Sequence, residues 1–530
     1  MKNIHYIYTL LFGVSVLLFF GLAYPHHLHY QEQFQLFLFD GNYAWDIVRL
    51  PGGIADLLGR FCTQFFLYAW SGAFIIGLLL SVIQLLTLRL AGWGRFYGLS
   101  FVPSFLLWLY LLDENALLGG VWAVLLTLLT SWVFDKLSGK LRDVLLVVAI
   151  PVLYWVAGPI SVLFLLLQAL RFKSHKWYYG VFVLFAIMLV VLAYYLPVPA
   201  SSLWFGIHYH RYPTVFPILL WVAVLSVFFL ALLMSIPKLS TLTSNPSTLT
   251  SNPSTLTSNP STLTSNPSTL TSNPSTLTSN LSTLTSFAIV AVCMGCFVWK
   301  NANFKAEKIM GYDFMARHQQ WNRIIETINA EKPNNQIGVT VQNLALAMRG
   351  MLANHGGEYS QNGIAGLLPD VDRDATSPMP TAEAFYQLGM INVAQRTVFE
   401  AQEAILDFQK SARCYKRLAQ TNLINGDYEV ARKYLHALQK TLFYSDWANE
   451  TLALLGNEKA IAEHPEYGHL RKFAYNEDFY FSDHVTPEML ESLYYKNRDN
   501  RLAYEYLIAY YMLTGDRDRY AKFLQTINKQ

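Results

Sequence analysis

The chain has 530 residues, of which 53% are hydrophobic and 14% are charged, and its formal net charge is +3. Residues 301–530 contain 25 of the 39 Lys and Arg and 28 of the 36 Asp and Glu, so charge is concentrated in a slightly acidic last third. This distribution excludes a chain that lies in water along its whole length, and it gives no reason to expect nucleic-acid binding.

Long apolar runs fill the first half, and most are close to the length of about 20 residues that a helix needs to cross a bilayer. They are residues 4–24, 61–88, 96–112, 117–134, 144–170, 177–196, 214–236 and, after a polar stretch, 284–299. We interpret the first run as a retained helix rather than a cleaved signal peptide, because its apolar core is longer than that of a typical signal. The 144–170 run contains Gly158-Pro159 near its middle, so it is either one long span or a hairpin of two short ones.

The distribution of Lys and Arg among the loops favours one orientation. With the N terminus in the cytoplasm and the 144–170 run as a hairpin, ten basic residues lie on the inner side, whereas the outer loops contain only Arg49, Arg60 and Arg211. This arrangement predicts nine spans and places the C-terminal domain on the outer side of the membrane.

Residues 240–274 are five identical copies of the heptapeptide Ser-Thr-Leu-Thr-Ser-Asn-Pro, and a sixth copy has Leu281 in place of proline. Proline prevents a continuous helix, and Ser, Thr and Asn compete for backbone hydrogen bonds. We therefore predict a disordered linker over 237–286. It is either a spacer of selected length or an expanded tandem repeat without a selected role.

The last third has the pattern of paired helices at the spacing of tetratricopeptide (TPR) repeats. In the best unit, Leu418 and Ala419 lie on the first helix, Gly426 allows the turn, and Ala431 lets the second helix approach closely. Weaker matches surround Trp321, Phe385 and Tyr504. The pattern resembles the TPR superfamily, which implies an α-solenoid over 301–530 and a protein partner bound to it.

Four tyrosines of this region are candidate partner-binding residues: Tyr415, Tyr434, Tyr504 and Tyr511. Aromatic side chains at helical spacing also form the cores of such arrays, and this alternative remains open.

The first outer loop, between the first two apolar runs, is the richest polar segment. One hypothesis is a transferase that uses a lipid-linked sugar, with Asp40 or Asp46 as the base and Arg49 or Arg211 as the phosphate-binding residue. The loop contains no D-x-D or E-x-D motif, which weakens this hypothesis.

Two other interpretations of the same loop are a metal site and an interfacial helix. A metal site would use His26, His27 and His29, but these residues are too close in sequence for a clean tetrahedral site on a helix, so we expect no metal and no other cofactor. The third interpretation is a helix at the membrane interface, in which Phe34, Phe37 and Leu38 face lipid.

The segment from Tyr24 to Phe39 reads Tyr-Pro-His-His-Leu-His-Tyr-Gln-Glu-Gln-Phe-Gln-Leu-Phe-Leu-Phe, and it is followed by Pro-Gly-Gly-Ile-Ala-Asp at 51–56 and Thr-Gln-Phe-Phe at 63–66. These segments resemble an uncharacterised family of polytopic inner-membrane proteins of Gram-negative bacteria with helical-repeat tails. The resemblance covers the chain outside 240–286. It implies a location in the bacterial inner membrane and carries over no catalytic residues; together with the orientation favoured by Lys and Arg, it predicts a multi-pass protein with a periplasmic C-terminal domain.

We therefore predict an all-α protein: a polytopic membrane helix bundle over 1–236, the linker over 237–286, a last span over 287–300 and a soluble TPR-like α-solenoid over 301–530. The leading hypothesis is an integral membrane protein whose periplasmic helical-repeat domain binds or organises cell-envelope partners. The alternative is a membrane glycosyltransferase-like envelope enzyme with a lipid-linked donor. The sequence leaves open whether the protein is an enzyme.

Overall fold

The computed structural model describes residues 2–91, 97–137, 139–171, 177–206, 208–235, 291–369, 378–406, 409–475 and 486–528. The predicted heptapeptide linker lies outside these ranges. The described elements are helices, and the isolated β-bridge found among these residues joins Ala116 and His210. The predicted all-α class is therefore confirmed.

The apolar half contains the helices Lys2–Leu18, Pro25–Glu32, Gly41–Val48, Gly53–Thr63, Ala69–Ala91, Val102–Tyr110, Leu118–Phe134, Gly139–Ala157, Val162–Arg171, Trp177–Tyr195, Ala200–Phe205, Ile218–Met234 and 291–301. A π-helical turn, Phe19–Ala23, extends the first of them, and 3₁₀ turns occur at Gln64–Leu67, Tyr97–Phe101 and Gly158–Ser161.

The C-terminal part contains the helices Phe304–Arg317, Trp321–Glu331, Gln336–Met348, Leu352–His355, Pro378–Leu388, Ile391–Glu403, Ala412–Asn425, Tyr428–Leu438, Ser445–Leu452, Glu458–Glu463, Tyr467–Phe473, Thr486–Lys496, Arg501–Thr514 and Arg517–Asn528. Two 3₁₀ turns, Gly356–Glu358 and Gly363–Gly366, lie in the connection that follows the fourth of these helices, Leu352–His355.

Within the ranges that the structure describes, three helical stretches are long and apolar enough to cross a membrane: His5–Ala23, Ala69–Leu90 and Arg142–Arg171. Shorter apolar helices occur at Tyr97–Tyr110, Leu118–Phe134, Gly180–Tyr195 and Ile218–Leu233. Several of these helices expose large apolar side chains, such as Leu10, Phe74 and Val190. Such a surface is unfavourable in water and favourable in lipid, so the chain is suited to a membrane. The number of membrane-spanning helices and the orientation of the chain across the membrane remain predictions.

The chain forms two compact units. The first, here called the apolar unit, consists of Met1–Ser15, Pro51–Ala55 and Gly77–Ala302. The second, here called the polar unit, consists of Val16–Leu50, Asp56–Ile76 and Asn303–Gln530. The polar unit therefore combines the C-terminal helices with the first polar loop, except Pro51–Ala55, and with parts of two membrane-compatible helices. The domain boundaries predicted from composition divide the chain into consecutive segments, and they remain a prediction.

Two basic side chains of the apolar unit make contacts near the ends of helices Leu118–Phe134 and Val162–Arg171. Arg171 forms an ion pair with Asp135 and donates a hydrogen bond of 2.7 Å to the carbonyl oxygen of Leu90. The Lys136 ammonium lies 3.6 Å from the centre of the Trp132 ring. The end of helix Val162–Arg171 therefore lies beside the end of helix Leu118–Phe134, which is the return that a hairpin requires.

Another set of contacts surrounds the break between helices Gly139–Ala157 and Val162–Arg171. Gly158 has a φ of +64°, and a Cβ atom there would lie 2.8 Å from the Tyr209 hydroxyl oxygen. That hydroxyl donates to the carbonyl oxygen of Ala157 at 2.8 Å. The Gly52 N–H donates to the carbonyl oxygen of Trp155 at 2.9 Å. Glycine is needed at 158 because an L side chain would be strained and would clash.

In the polar unit, the best TPR-like match is a pair of packed helices with the predicted turn. Helix Ala412–Asn425 ends at Gly426, whose φ is +89°, and the chain turns into helix Tyr428–Leu438. Ala431 and Leu418 are buried. Two consecutive helices also occur at each of the other predicted repeat units, around Trp321, Phe385 and Tyr504. These helices share a large core of aliphatic and aromatic side chains.

Candidate functional site

The first polar loop up to Leu50 is part of the polar unit and packs against its C-terminal helices. We call residues 25–40 the strap. The strap begins as helix Pro25–Glu32, and Pro25 suits its first turn because proline lacks an N–H that a helix start cannot use. The Glu307 side chain accepts hydrogen bonds from the N–H groups of His26 at 2.7 Å and His27 at 2.8 Å. A carboxylate at this position complements the positive end of the helix dipole.

Burial raises the pKa of Glu307 to about 7, although the two N–H groups favour its charged form. The nearby histidines shift in the opposite direction. Burial lowers the pKa of His26 and of His29 to about 4, so both rings are neutral at pH 7. His29 stacks on Phe314 with ring centres 4.4 Å apart. These histidines therefore act here as aromatic packing groups, and no group of three potential metal ligands occurs among the described residues.

Two buried polar connections hold the middle of the strap. The Tyr444 hydroxyl donates to a carboxylate oxygen of Glu32 at 2.9 Å and lies 3.2 Å from the Arg317 guanidinium. Burial raises the pKa of Glu32, which is only 4% exposed.

The second connection centres on Arg413, which is 6% exposed. Its guanidinium donates to both carboxylate oxygens of Asp313, at 2.5 and 2.8 Å, and to the Gln33 side-chain oxygen at 3.0 Å. A two-point pair of this kind fixes both distance and orientation. Arg413 thus joins the strap to two C-terminal helices at once.

The last part of the strap is extended rather than helical. Phe34 packs on Ile405, and Leu36 lies in a buried cluster with side chains from helices Ala412–Asn425 and Tyr428–Leu438. The N–H of Leu36 donates to the carbonyl oxygen of Lys410 at 2.9 Å, and that of Phe39 donates to the carbonyl oxygen of Lys440 at 2.7 Å. The hypothesis of an interfacial helix with Phe34 facing lipid is therefore wrong, because tertiary packing uses these apolar side chains inside the polar unit.

Acidic side chains of the first loop take part in hydrogen bonds and ion pairs. Asp40 accepts hydrogen bonds from the N–H groups of Asn42 and Tyr43 at the start of helix Gly41–Val48. It also accepts one from the Lys440 ammonium at 2.5 Å, and this bond lowers the pKa of Asp40. The remaining pairs are Asp46 with Arg49 at 3.3 Å, which is exposed, and Asp56 with Arg60 at 2.9 Å, which is buried. Asp40 therefore has a clear structural role, as a helix cap and an ion-pair partner.

The profile described as "Family of unknown function (DUF6057)" matches residues 1–530. The chain belongs to this family. The match extends through the heptapeptide linker, which the sequence resemblance leaves out. Comparison with curated proteins gives no match, and comparison with solved structures gives none.

The fourth candidate catalytic residue of this DUF6057 protein, Arg211, belongs to the apolar unit. It is buried, and its N–H donates to the carbonyl oxygen of Asn115 at 2.8 Å. Its neighbour His210 lies 3.1 Å from a carboxylate oxygen of Asp113. Arg211 thus lies in one unit, whereas Asp40, Asp46 and Arg49 lie in the other.

The four candidate tyrosines occupy different surroundings. Tyr415 and Tyr434 are partly buried and contact each other edge to face, with ring centres 5.1 Å apart. Tyr504 is partly buried against the main core of the polar unit, and Tyr511 is inside that core with 2% exposure. Their role in partner binding stays a prediction.

Sequence reasoning identifies the strap as a rich polar segment but misses its partners Glu307, Asp313, Arg317 and Arg413. None of these residues lies in a recognisable motif. Their distance from the strap along the chain explains why they were missed. The residues joined by the histidine–glutamate and glutamate–tyrosine hydrogen bonds are between 280 and 412 positions apart. A charged residue on the buried face of a predicted repeat helix, such as Arg413, is the only signal that points to them.

Proposed function

We propose that this family member is a membrane-anchored interaction protein whose C-terminal helical domain is held at the outer surface of the membrane by the strap and binds or organises cell-envelope proteins. The observation that carries the proposal is the docking of residues 25–40 on helices Phe304–Arg317 and Ala412–Asn425. These contacts join a segment that directly follows the first apolar helix to the C-terminal helices within the polar unit.

The ends of the membrane-compatible helices support this position. Val16–Ala23 and Ala69–Ile76 belong to the polar unit, although each continues as an apolar helix. The Tyr24 hydroxyl accepts a hydrogen bond from the Asn303 N–H at 3.1 Å, and Tyr68 packs edge to face against Phe443. The first C-terminal helix thus starts beside the end of the first apolar helix.

Contacts within the apolar unit support the proposed crossing pattern. Arg171 contacts Asp135 and Leu90, three residues that the nine-span arrangement places on the cytoplasmic side. The turn at Gly158 contacts Gly52 and Tyr209, which the same arrangement places on the outer side. Loops predicted to share a side therefore meet, which favours the hairpin and a C-terminal domain on the periplasmic face of a bacterial inner membrane.

The paired helices of the polar unit favour binding over catalysis. TPR-like arrays present extended surfaces to partners, and the proposed solenoid spans residues 301–530. The acidic residues that a transferase would need as a base have structural contacts instead. Asp40 caps a helix and binds Lys440, and Asp46 pairs with Arg49 on the surface. These contacts give the interaction function the better support.

Photo-crosslinking in intact cells tests the proposal. A photoreactive amino acid is placed at Val430 or Met512, which are exposed on the helical domain, and at Val190, which is exposed on an apolar helix. We expect protein adducts from the first two positions and no matching adducts from Val190. Absence of protein adducts from the helical domain would contradict partner binding.

A second experiment tests the orientation alone. A reporter enzyme that is active only outside the cytoplasm is fused after Asn303, and the same enzyme is fused after Lys136 as the control. We expect activity from the first fusion only. The reverse pattern would place the helical domain in the cytoplasm and rule out an envelope partner on the periplasmic side.

A further inference from the structure

A series of aromatic rings connects the helical domain with the start of an apolar helix. Phe39 lies edge to face on Phe61, and Phe61 on Phe65, with ring centres 6.4 and 5.6 Å apart. Phe443 lies edge to face against Phe65 and Tyr68, at 5.5 and 5.6 Å. We call Phe39, Phe61, Phe65, Tyr68 and Phe443 the aromatic ladder. All five residues belong to the polar unit, so the ladder lies within one compact body.

Tyr68 places the ladder at the start of the second long apolar helix, because it directly precedes helix Ala69–Ala91. The first residues of that helix, up to Ile76, belong to the polar unit as well. Trp70, Phe74 and Leu78 are exposed and lie one turn apart along the helix, so they form one apolar face. A face of this kind is suited to lipid. The aromatic ladder therefore begins within one helical turn of a surface that is suited to lipid.

The outer edge of the aromatic ladder is both apolar and exposed. Tyr68 is 59% exposed and Phe39 is 54% exposed. Leu442, the residue before Phe443, is 44% exposed in the loop 439–444 that joins helices Tyr428–Leu438 and Ser445–Leu452. A group of exposed apolar side chains is unfavourable in water, whereas aromatic residues are enriched where hydrocarbon meets the headgroups. The composition of this edge fits a bilayer interface.

The charges beside this edge decide which property of a lipid it recognises. Lys440 lies in the same loop, but its ammonium pairs with the Asp40 carboxylate at 2.5 Å. Asp446, in the first turn of the following helix, is exposed. A paired lysine and an exposed acid give no attraction to anionic headgroups. The contact with lipid must therefore come from apolar burial.

We propose that the helical domain itself inserts the loop 439–444 into the bilayer interface, with Leu442 and the edge of the Phe443 ring among the lipid chains next to the headgroups. Tyr68 and Phe39 lie beside them at the same interface. Shallow insertion of apolar side chains is the way in which peripheral helices bind a bilayer. This inference rests on the proposed function, because it requires a membrane-anchored helical domain, and it adds lipid as a direct partner of that domain.

Photo-crosslinking of the purified full-length protein in nanodiscs of zwitterionic phosphatidylcholine tests the proposal. A diazirine amino acid replaces Leu442, and mass spectrometry measures phospholipid adducts. Val430 is the matched control, because it lies on the preceding helix and is also 44% exposed. Val190, exposed on an apolar helix, is the positive control. We expect lipid adducts from position 442 at a yield comparable to that from position 190, and background from position 430. Equal yields from positions 442 and 430 would overturn the proposal.

Two further arms test the kind of occupant. Replacement of part of the lipid by anionic phosphatidylglycerol should leave the adduct yield at position 442 unchanged, and a requirement for the anionic lipid would overturn the argument from apolar burial. In intact cells, protein adducts from position 442 in place of lipid adducts would assign this surface to a protein and overturn the choice of lipid.

The controls also separate this inference from the proposed function. Protein adducts from Val430 in cells, without lipid adducts from position 442, would refute the lipid contact alone. Lipid adducts from position 442, without protein adducts from Val430 or Met512, would support the lipid contact and refute partner binding. Position 442 is suited to the probe because its side chain is exposed and the substitution leaves the rings of the aromatic ladder in place.

Discussion

Replacement of Arg413 by alanine should release the strap from the helical domain. The change removes two hydrogen bonds to Asp313, at 2.5 and 2.8 Å, and one to Gln33 at 3.0 Å. It leaves the Asp313 carboxylate, whose side chain is 13% exposed, without its cation. Removal of one partner from a buried ion pair typically costs about 3–5 kcal/mol. The partial exposure of Asp313 favours the lower end of this range.

Hydrogen–deuterium exchange in the full-length protein measures this effect locally. A cost of about 3 kcal/mol corresponds to roughly a hundredfold increase in the opening equilibrium of the segments that Arg413 joins. These segments are the strap, through Gln33, and helix Phe304–Arg317, through Asp313, so amides of both should exchange faster in Arg413→Ala, by up to about 10²-fold. The matched control is Arg432→Ala, because Arg432 pairs with Glu429 at 3.4 Å on the surface. That change should alter local stability by less than about 0.5 kcal/mol.

A double-mutant cycle with Asp313→Ala identifies the interaction itself. If the ion pair holds the strap, the effects of Arg413→Ala and Asp313→Ala should not add, and the double variant should be little worse than either single one. Additive effects, or exchange of residues 25–40 that is unchanged in Arg413→Ala, would refute the argument that this pair secures the strap.

Four further predictions follow from the same structure. Ala431→Leu should overpack the buried contact between paired helices and cost about 1–3 kcal/mol, measured as a lower melting temperature of the protein in detergent. Gly158→Ala should reduce the yield of folded protein, because its φ is +64° and a Cβ atom would clash; a normal yield would argue against this turn. Burial lowers the folded-state pKa values of His26 and His29 to about 4, below the ordinary histidine value of about 6.5, so their contribution to stability is present above pH 6.5 and is lost as pH falls toward 4. Glu307 and Glu32, whose pKa values are raised by burial, oppose this loss as pH falls, so the histidine contribution is measured against a variant that lacks both rings, His26→Gln with His29→Gln. Strap exchange, corrected for intrinsic rates, should accelerate more between pH 7 and pH 5 in the wild type than in that variant. Asp46→Ala should change the melting temperature little, because its ion pair is exposed; a large drop would show an unrecognised contact.

Sequence information gave a good account of local structure. The apolar runs predict helices suited to a bilayer because hydrophobicity over a window of about 20 residues is a local property. The turn at Gly426 and the buried position of Ala431 follow from helical periodicity and from the need for a positive φ at a helix end. These features depend on neighbours within one or two turns of helix, so they can be determined without knowledge of the rest of the chain.

The candidate site depended on contacts that no local pattern encodes. In the sequence, the first loop is a polar segment with three histidines and several acidic residues. This composition fits a catalytic loop, a metal site or an interfacial helix. Only the tertiary structure shows that Phe34 and Leu36 enter the helical domain and that Asp40 binds Lys440. The use of an acid as base, cap or ion-pair partner is decided by what lies within about 3 Å, and composition does not specify that neighbour.

The amino-acid sequence by itself determined an all-helical chain with an apolar half and a polar half, because burial in lipid or in water is set by the side chains of each helix. The tertiary structure alone decided that the strap belongs with the C-terminal helices. The decisive contacts join His26 to Glu307, Gln33 to Arg413 and Asp40 to Lys440, across 281, 380 and 400 positions of the chain. Such pairs form only when two distant segments fold against each other, since the attraction between charges at hydrogen-bond distance depends on their separation in space and not on their separation in sequence.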